Sequence, residues 1–168
     1  MTLADGYKNL IDILDEEITV YRHFLDLIRH ENEILIQSKL EDLVENNRSK
    51  EAMINKLRSL ERIREKRVRE IAQVLNLKID APRLLDIANQ LEMSLGDKLR
   101  SIHATLDLLI KRVKEHNEKN ELLVQSALQN IKGALENLKK TLQDKPTYQN
   151  EGQINQPAPT GRFVSKEV

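Results

Sequence analysis

A chain of 168 residues without a single cysteine has no disulfide, thiolate zinc site or cysteine nucleophile at its disposal. Its 27 basic and 27 acidic residues cancel, which removes the overall field that would draw nucleic acid or anionic lipid. With 39% apolar and 32% charged residues, few aromatics and no Trp, it has the composition of long helices packed along narrow stripes. The fold class is therefore all-α, expected as an elongated antiparallel helical hairpin or three-long-helix bundle with a short linking helix and a disordered C-terminal tail.

The N-terminal stretch carries Asp5, Lys8 and Asp12 where a signal peptide needs an uncharged core, and no apolar run reaches transmembrane length, so a cytoplasmic protein is expected. Residues 3–37 read as the first helix. Tyr7, Ile11, Leu14, Ile18, Tyr21, Leu25, Ile28, Asn32 and Leu35 alternate steps of four and three, the heptad of a packed seam. Leu10, Val20, Phe24, Leu27 and Ile34 widen that stripe beyond what a two-stranded coiled coil requires, which favours a bundle. Ser38 and Glu41 have the spacing of a capping box, so a tight reversal and a new helix start are expected there, with a kink in one continuous helix as the alternative. The second helix runs to about Leu75. Residues 1–37 hold three bases against eight acids, a net of −5, and residues 48–69 hold nine bases against three acids, a net of +6. An antiparallel hairpin sets these blocks side by side, which specifies register more than it adds stability.

After Leu75 the pattern breaks, and Asp80 followed by Pro82 predicts a restart as a short helix from about Ala81 to Leu91. Met93 to Gly96 should turn the chain, with Ser94 or Asp97 capping a last helix of about 46 residues. That helix carries Leu99, Ile102, Leu106, Leu109 and Val113 on one face, turns polar at Asn117 and Asn120, and resumes at Val124, Ala127, Ile131, Ala134 and Leu138. Leu128, Leu135 and Leu142 broaden the second half. From Asp144 the chain turns polar and rich in Pro and Gly, which divides it into a helical domain at 1–143 and a disordered or conditionally ordered tail at 144–168.

Catalytic chemistry finds no foothold. Di-iron bundles need Glu-x-x-His pairs, and none of His23, His30, His103 or His116 has a Glu three residues before it. His23 and His30 share a helix face but lack further ligands. Arg62, Arg64, Lys66, Arg67 and Arg69 form a basic run that suits a phosphate backbone, yet Glu61, Glu65 and Glu70 interrupt it, and a solvated or internally paired face accounts for it better. No enzyme activity, cofactor or metal is expected. Asn117 and Asn120 have two readings: buried seam polars that fix register, or the border between the bundle half of the helix and a half offered to a partner.

From His116-Asn117 through Asn120 to Leu122-Leu123, with a wide apolar helix after it and Pro146-Thr147-Tyr148 and Gly152 beyond, the sequence resembles the FlgN family. The Leu-rich first helix, the stretch from Glu51 to Leu57, and Val74-Leu75-Asn76-Leu77 before a linking helix match as well. The resemblance spans Leu10 to Gly152. It implies a cytosolic export chaperone that binds the C-terminal helical region of the hook-associated proteins of the flagellum, prevents their premature assembly and delivers them to the type III export gate. Asn117, Asn120 and Leu122 are the motif positions. Leu123, Val124, Ala127, Leu128, Ile131, Leu135 and Leu138 are the candidate client-binding surface, since a client's amphipathic helix needs an apolar helix face to lie against. The same stripe also suits packing on the first helix or on a second copy, as in a homodimeric coiled-coil scaffold. Tyr148, an aromatic in a polar tail, is the candidate for docking on the cytoplasmic domain of the export gate. A monomer or weak homodimer with no nucleic-acid partner and no membrane insertion follows from this picture.

Overall fold

The computed structural model describes residues 2–143, and the tail, including Tyr148, lies outside the described residues. Four helices follow in order: α1 (Leu3–Gln37), α2 (Leu40–Val74), α3 (Leu84–Gln90) and α4 (Met93–Gln143), with no strand among the described residues. The chain forms two compact units, Met1–Val124 and a second beginning at Gln125.

In the first unit α1 starts where Thr2 and Asp5 close a capping box, the Asp5 N–H donating to Thr2 Oγ1 at 3.2 Å and the Thr2 N–H to Asp5 Oδ2 at 3.4 Å. The bonds from Thr2 hold the Asp5 carboxyl below its usual range. The α1 heptad buries Ile11, Leu14, Ile18, Leu25 and Ile28, and Tyr7 and Tyr21 pack at its edge. α2 runs antiparallel to α1: Lys50 pairs with Glu31 and Arg64 with Glu17, so numbers rise along one helix as they fall along the other. α4 runs parallel to α1. The Tyr7 hydroxyl donates to the Leu95 carbonyl at 3.0 Å and Asn32 Nδ2 donates to Asn120 Oδ1 at 2.8 Å, both across 88 positions of sequence. One apolar cluster joins all four helices, with Val68 and Ile71 from α2, Leu84 and Ile87 from α3, and Leu99, Ile102, Leu106 and Leu109 from α4.

The turns differ from expectation in three places. The reversal between α1 and α2 is tight, but Ser38 does not cap α2. It sits at φ 55°, closing α1 in a Schellman motif, with its N–H bonded to Leu35 and that of Lys39 to Ile34. Lys39 takes the N-cap position of α2 and contributes no side-chain bond there. Asn76, also at φ 55°, ends α2 in the same way, with Asn76 bonded to Gln73 and Leu77 to Ala72. α3 begins at Leu84 rather than Ala81. Asp86 captures the Arg83 N–H at 2.7 Å and so places the cap at Arg83, leaving Asp80 and Pro82 in the connection. Met93 to Gly96 is the first turn of α4 and not a loop, because the Gly96 N–H already reaches the Glu92 carbonyl at 2.9 Å. Gly96 is needed for its close approach to α3, where a Cβ would stand 2.3 Å from the Ala88 carbonyl oxygen. Arg100 completes the junction by donating to that carbonyl and to Asn89 Oδ1, both at 3.3 Å.

Candidate functional site

The polar positions of the α1 and α4 seams meet. Asn120 is 4% exposed, and its Nδ2 donates to the Ile28 carbonyl at 2.8 Å and to Glu31 Oε2 at 2.9 Å, while its Oδ1 accepts from Asn32. The same Glu31 oxygen accepts from Lys50 Nζ at 2.7 Å. α1, α2 and α4 thus share one buried polar layer in which the negative charge of Glu31 has both a cation and an amide as donors. Asn46 of α2 is also buried, four residues before Lys50 on the same helix face, and neither of its side-chain polar atoms has a hydrogen-bond partner among the described residues. The two motif asparagines therefore separate: Asn120 is a buried seam residue, whereas Asn117 is exposed.

Past Asn120 the burial stops. Every described side chain from Glu121 to Leu142 is exposed, and Gly133 alone is intermediate. At the end of the first unit Leu122 is well exposed, and Leu123 and Val124 are less so. In the second unit Leu128, Ile131, Leu135, Leu138 and Leu142 are each between 54% and 61% exposed. Steps of three and four put these five on one helix face, with exposed Ala127 one turn before Ile131. An apolar ladder of this kind needs a partner to leave water, and it offers the shape against which an amphipathic helix packs.

The remaining candidates fall elsewhere. Arg64 is held by Glu17 at 3.0 Å, Arg67 and Lys66 face Glu70, and Arg69 faces Glu65, so much of the basic run is engaged within the chain. Lys56 reaches Glu16 at 2.8 Å. The acidic and basic blocks do lie side by side, as their antiparallel arrangement requires. Burial pushes the Glu17 carboxyl above its usual range against the opposing pull of Arg64, and burial also raises the Tyr21 phenol. His23 and His30 are exposed, and no group of three metal-binding side chains occurs among the described residues. Nor is any helix there long and apolar enough to cross a membrane.

Sequence reasoning missed Glu31 and Lys50 as members of the polar layer, and Asn46 as a buried polar residue. One signal was present: adding 88 to the α1 heptad returns Leu95, Leu99, Ile102, Leu106, Leu109, Val113, His116, Asn120 and Leu123, the α4 seam itself.

Neither the curated proteins nor the solved structures compared with the chain give a match. A protein-family model described as FlgN protein matches residues 1–156, nearly the whole chain and all of the described helices. With that match added to the parallel α1–α4 seam and the exposed ladder that follows it, the chain belongs to the FlgN family of flagellar export chaperones.

Proposed function

We propose that this chaperone binds the C-terminal amphipathic helical region of hook-associated proteins, keeps them from assembling in the cytoplasm and hands them to the export gate. The observation that carries the proposal is the ladder of Leu128, Ile131, Leu135 and Leu138, four large apolar side chains each more than half exposed on one helix face. Leu123 and Val124, at the end of the first unit, and Ala127 are proposed as further client contacts. A client helix laid along this face would remove both apolar surfaces from water, with about 25 cal/mol gained per Å² covered. Release needs no hydrolysis by the chaperone, and none of its residues is assigned a catalytic role. Tyr148 is proposed to dock on the cytoplasmic domain of the export gate, an aromatic face with a polar tip being suited to such a contact.

Calorimetry against C-terminal fragments of hook-associated proteins from the same cell tests the proposal. We expect saturable binding at a ratio of ~1:1 by a monomer or weak homodimer, with negative heat-capacity change from apolar burial. Leu128→Asp and Leu135→Asp should abolish it while helicity by circular dichroism is kept. A tight dimer whose association, rather than client binding, is lost in the same variants would make this face a homodimer seam instead.

A further inference from the structure

The α1–α4 seam poses a problem that apolar packing does not solve. At the observed offset of 88, Ile11 is set against Leu99, Leu14 against Ile102, Ile18 against Leu106 and Leu25 against Val113. A slip of one heptad keeps apolar side chains together: Ile11 would meet Leu106, Leu14 Leu109, and Ile18 Val113. Hydrophobic pattern is blind to such a slip, because the period of both stripes is seven. A slip of ~10 Å would draw on the non-helical residues 77–83, since Gly96 and Arg100 tie α3 to α4.

The consequence for the ladder is direct. In the slipped register Asn32 would face Ala127, and the apolar sequence proposed to receive the client would begin to be covered by the chain's own α1. What opposes the slip is the polar layer, joined at the other end of the seam by the Tyr7 hydroxyl bond to the Leu95 carbonyl. Moved by a heptad, Asn120 would face Leu25, losing the Ile28 carbonyl, Glu31 and Asn32 together, and Asn32 would lose its acceptor. Each buried group left without its bond costs ~1–3 kcal/mol, and a single buried Asn pair is the best-attested device for specifying register between packed helices.

We propose that the Asn32–Asn120 pair, with Glu31 and Lys50 behind it, fixes α4 at the one register that leaves the apolar stripe beyond Asn120 available to a client. Asn120 is thus a positioning residue for client binding, and this rests on the reading of that stripe as the client face. Continuity of the seam is given up at one layer so that its other half stays uncovered.

The absence of native cysteine allows the register to be read by cross-linking. In the full chain, Leu35→Cys with Leu123→Cys marks the observed register, and Tyr21→Cys with His116→Cys marks the slipped one. With the asparagines intact, mild oxidation should join 35 to 123 within one chain and leave 21 and 116 apart. With Asn32→Leu and Asn120→Leu added, the 21–116 cross-link should appear in a folded, helical chain, and client affinity should fall in proportion to the slipped fraction. If the leucine pair does not fold, Asn32→Ala with Asn120→Ala must give the same cross-link. A folded leucine or alanine pair that joins only 35 to 123 overturns the inference, as does a 21–116 cross-link while both asparagines are present. The cross-links use no client, so a chain that obeys them but gives no heat with hook-associated fragments refutes the client reading and not the register device.

Discussion

Glu17 is a carboxylate in an apolar seam, 6% exposed at the side chain, with the Arg64 guanidinium to stand against its loss of water. Burial outweighs Arg64, and the neighbouring charge of Glu61 adds to it, so the carboxyl is raised above its ordinary range. The sign for stability follows from proton binding. In the window between the ordinary and the raised value the folded chain holds more protons than the unfolded one, so stability falls as pH rises through that window. Urea denaturation across this range should show the fall in the native protein and lose it in Glu17→Gln. Arg64→Ala leaves the carboxylate without its cation and should cost about 2–3 kcal/mol at neutral pH, below the usual range for a buried pair because Arg64 itself is 26% exposed. Replacing both by Leu should restore most of that, since the seam around them is apolar. The charge blocks at 1–37 and 48–69 made this pairing legible in outline. Which acid would be buried was not, because burial of Glu17 depends on its place beside Ile18 in a seam shared by three helices, and that is a tertiary fact.

At the scale of the helices, the long elements were readable and their ends were not. α1 was expected at 3–37 and occupies Leu3–Gln37, because nine heptad positions in a row leave one period that fits. Ser38 shows why the ends fail: a serine followed three residues later by glutamate fits a helix start, but a serine after a long helix also fits an end, and the left-handed backbone at φ 55° selects the second. A side chain there crowds its own backbone, so Ser38→Gly should raise stability by about 1 kcal/mol in chemical denaturation, and Asn76→Gly by less because Asn tolerates this conformation better. The two glycines of α4 should respond oppositely to alanine. Gly96→Ala drives a methyl into the Ala88 carbonyl and should cost about 1–3 kcal/mol by forcing α3 and α4 apart. Gly133 has open space around the position of a Cβ, so Gly133→Ala should strengthen its helix by about 0.5–1 kcal/mol, read as slower amide exchange around that residue and not as a change in the melting of the first unit.

At the scale of the whole molecule, the parallel partnership of α1 with α4 is the feature hardest to find from local pattern. Both stripes were visible, but helices 88 residues apart pair through a relation that no window of a single helix contains. That relation also places the end of one unit: offset by 88, the last residue of α1, Gln37, corresponds to 125, and the first compact unit ends at Val124. The core is complete before the ladder begins, so the ladder should add nothing to the stability of the first unit. A chain ending at Val124 should therefore melt within about 3 °C of the full chain, the shift expected for less than about 0.5 kcal/mol. Client addition separates the two. At a hundredfold excess over its dissociation constant the client should stabilise the full chain by about 2.7 kcal/mol, a gain that the shortened chain, lacking Leu128, Ile131, Leu135 and Leu138, should not show. A shortened chain that gains as much as the full one would move recognition into the first unit, while one that melts far lower would mean that the ladder is part of the core.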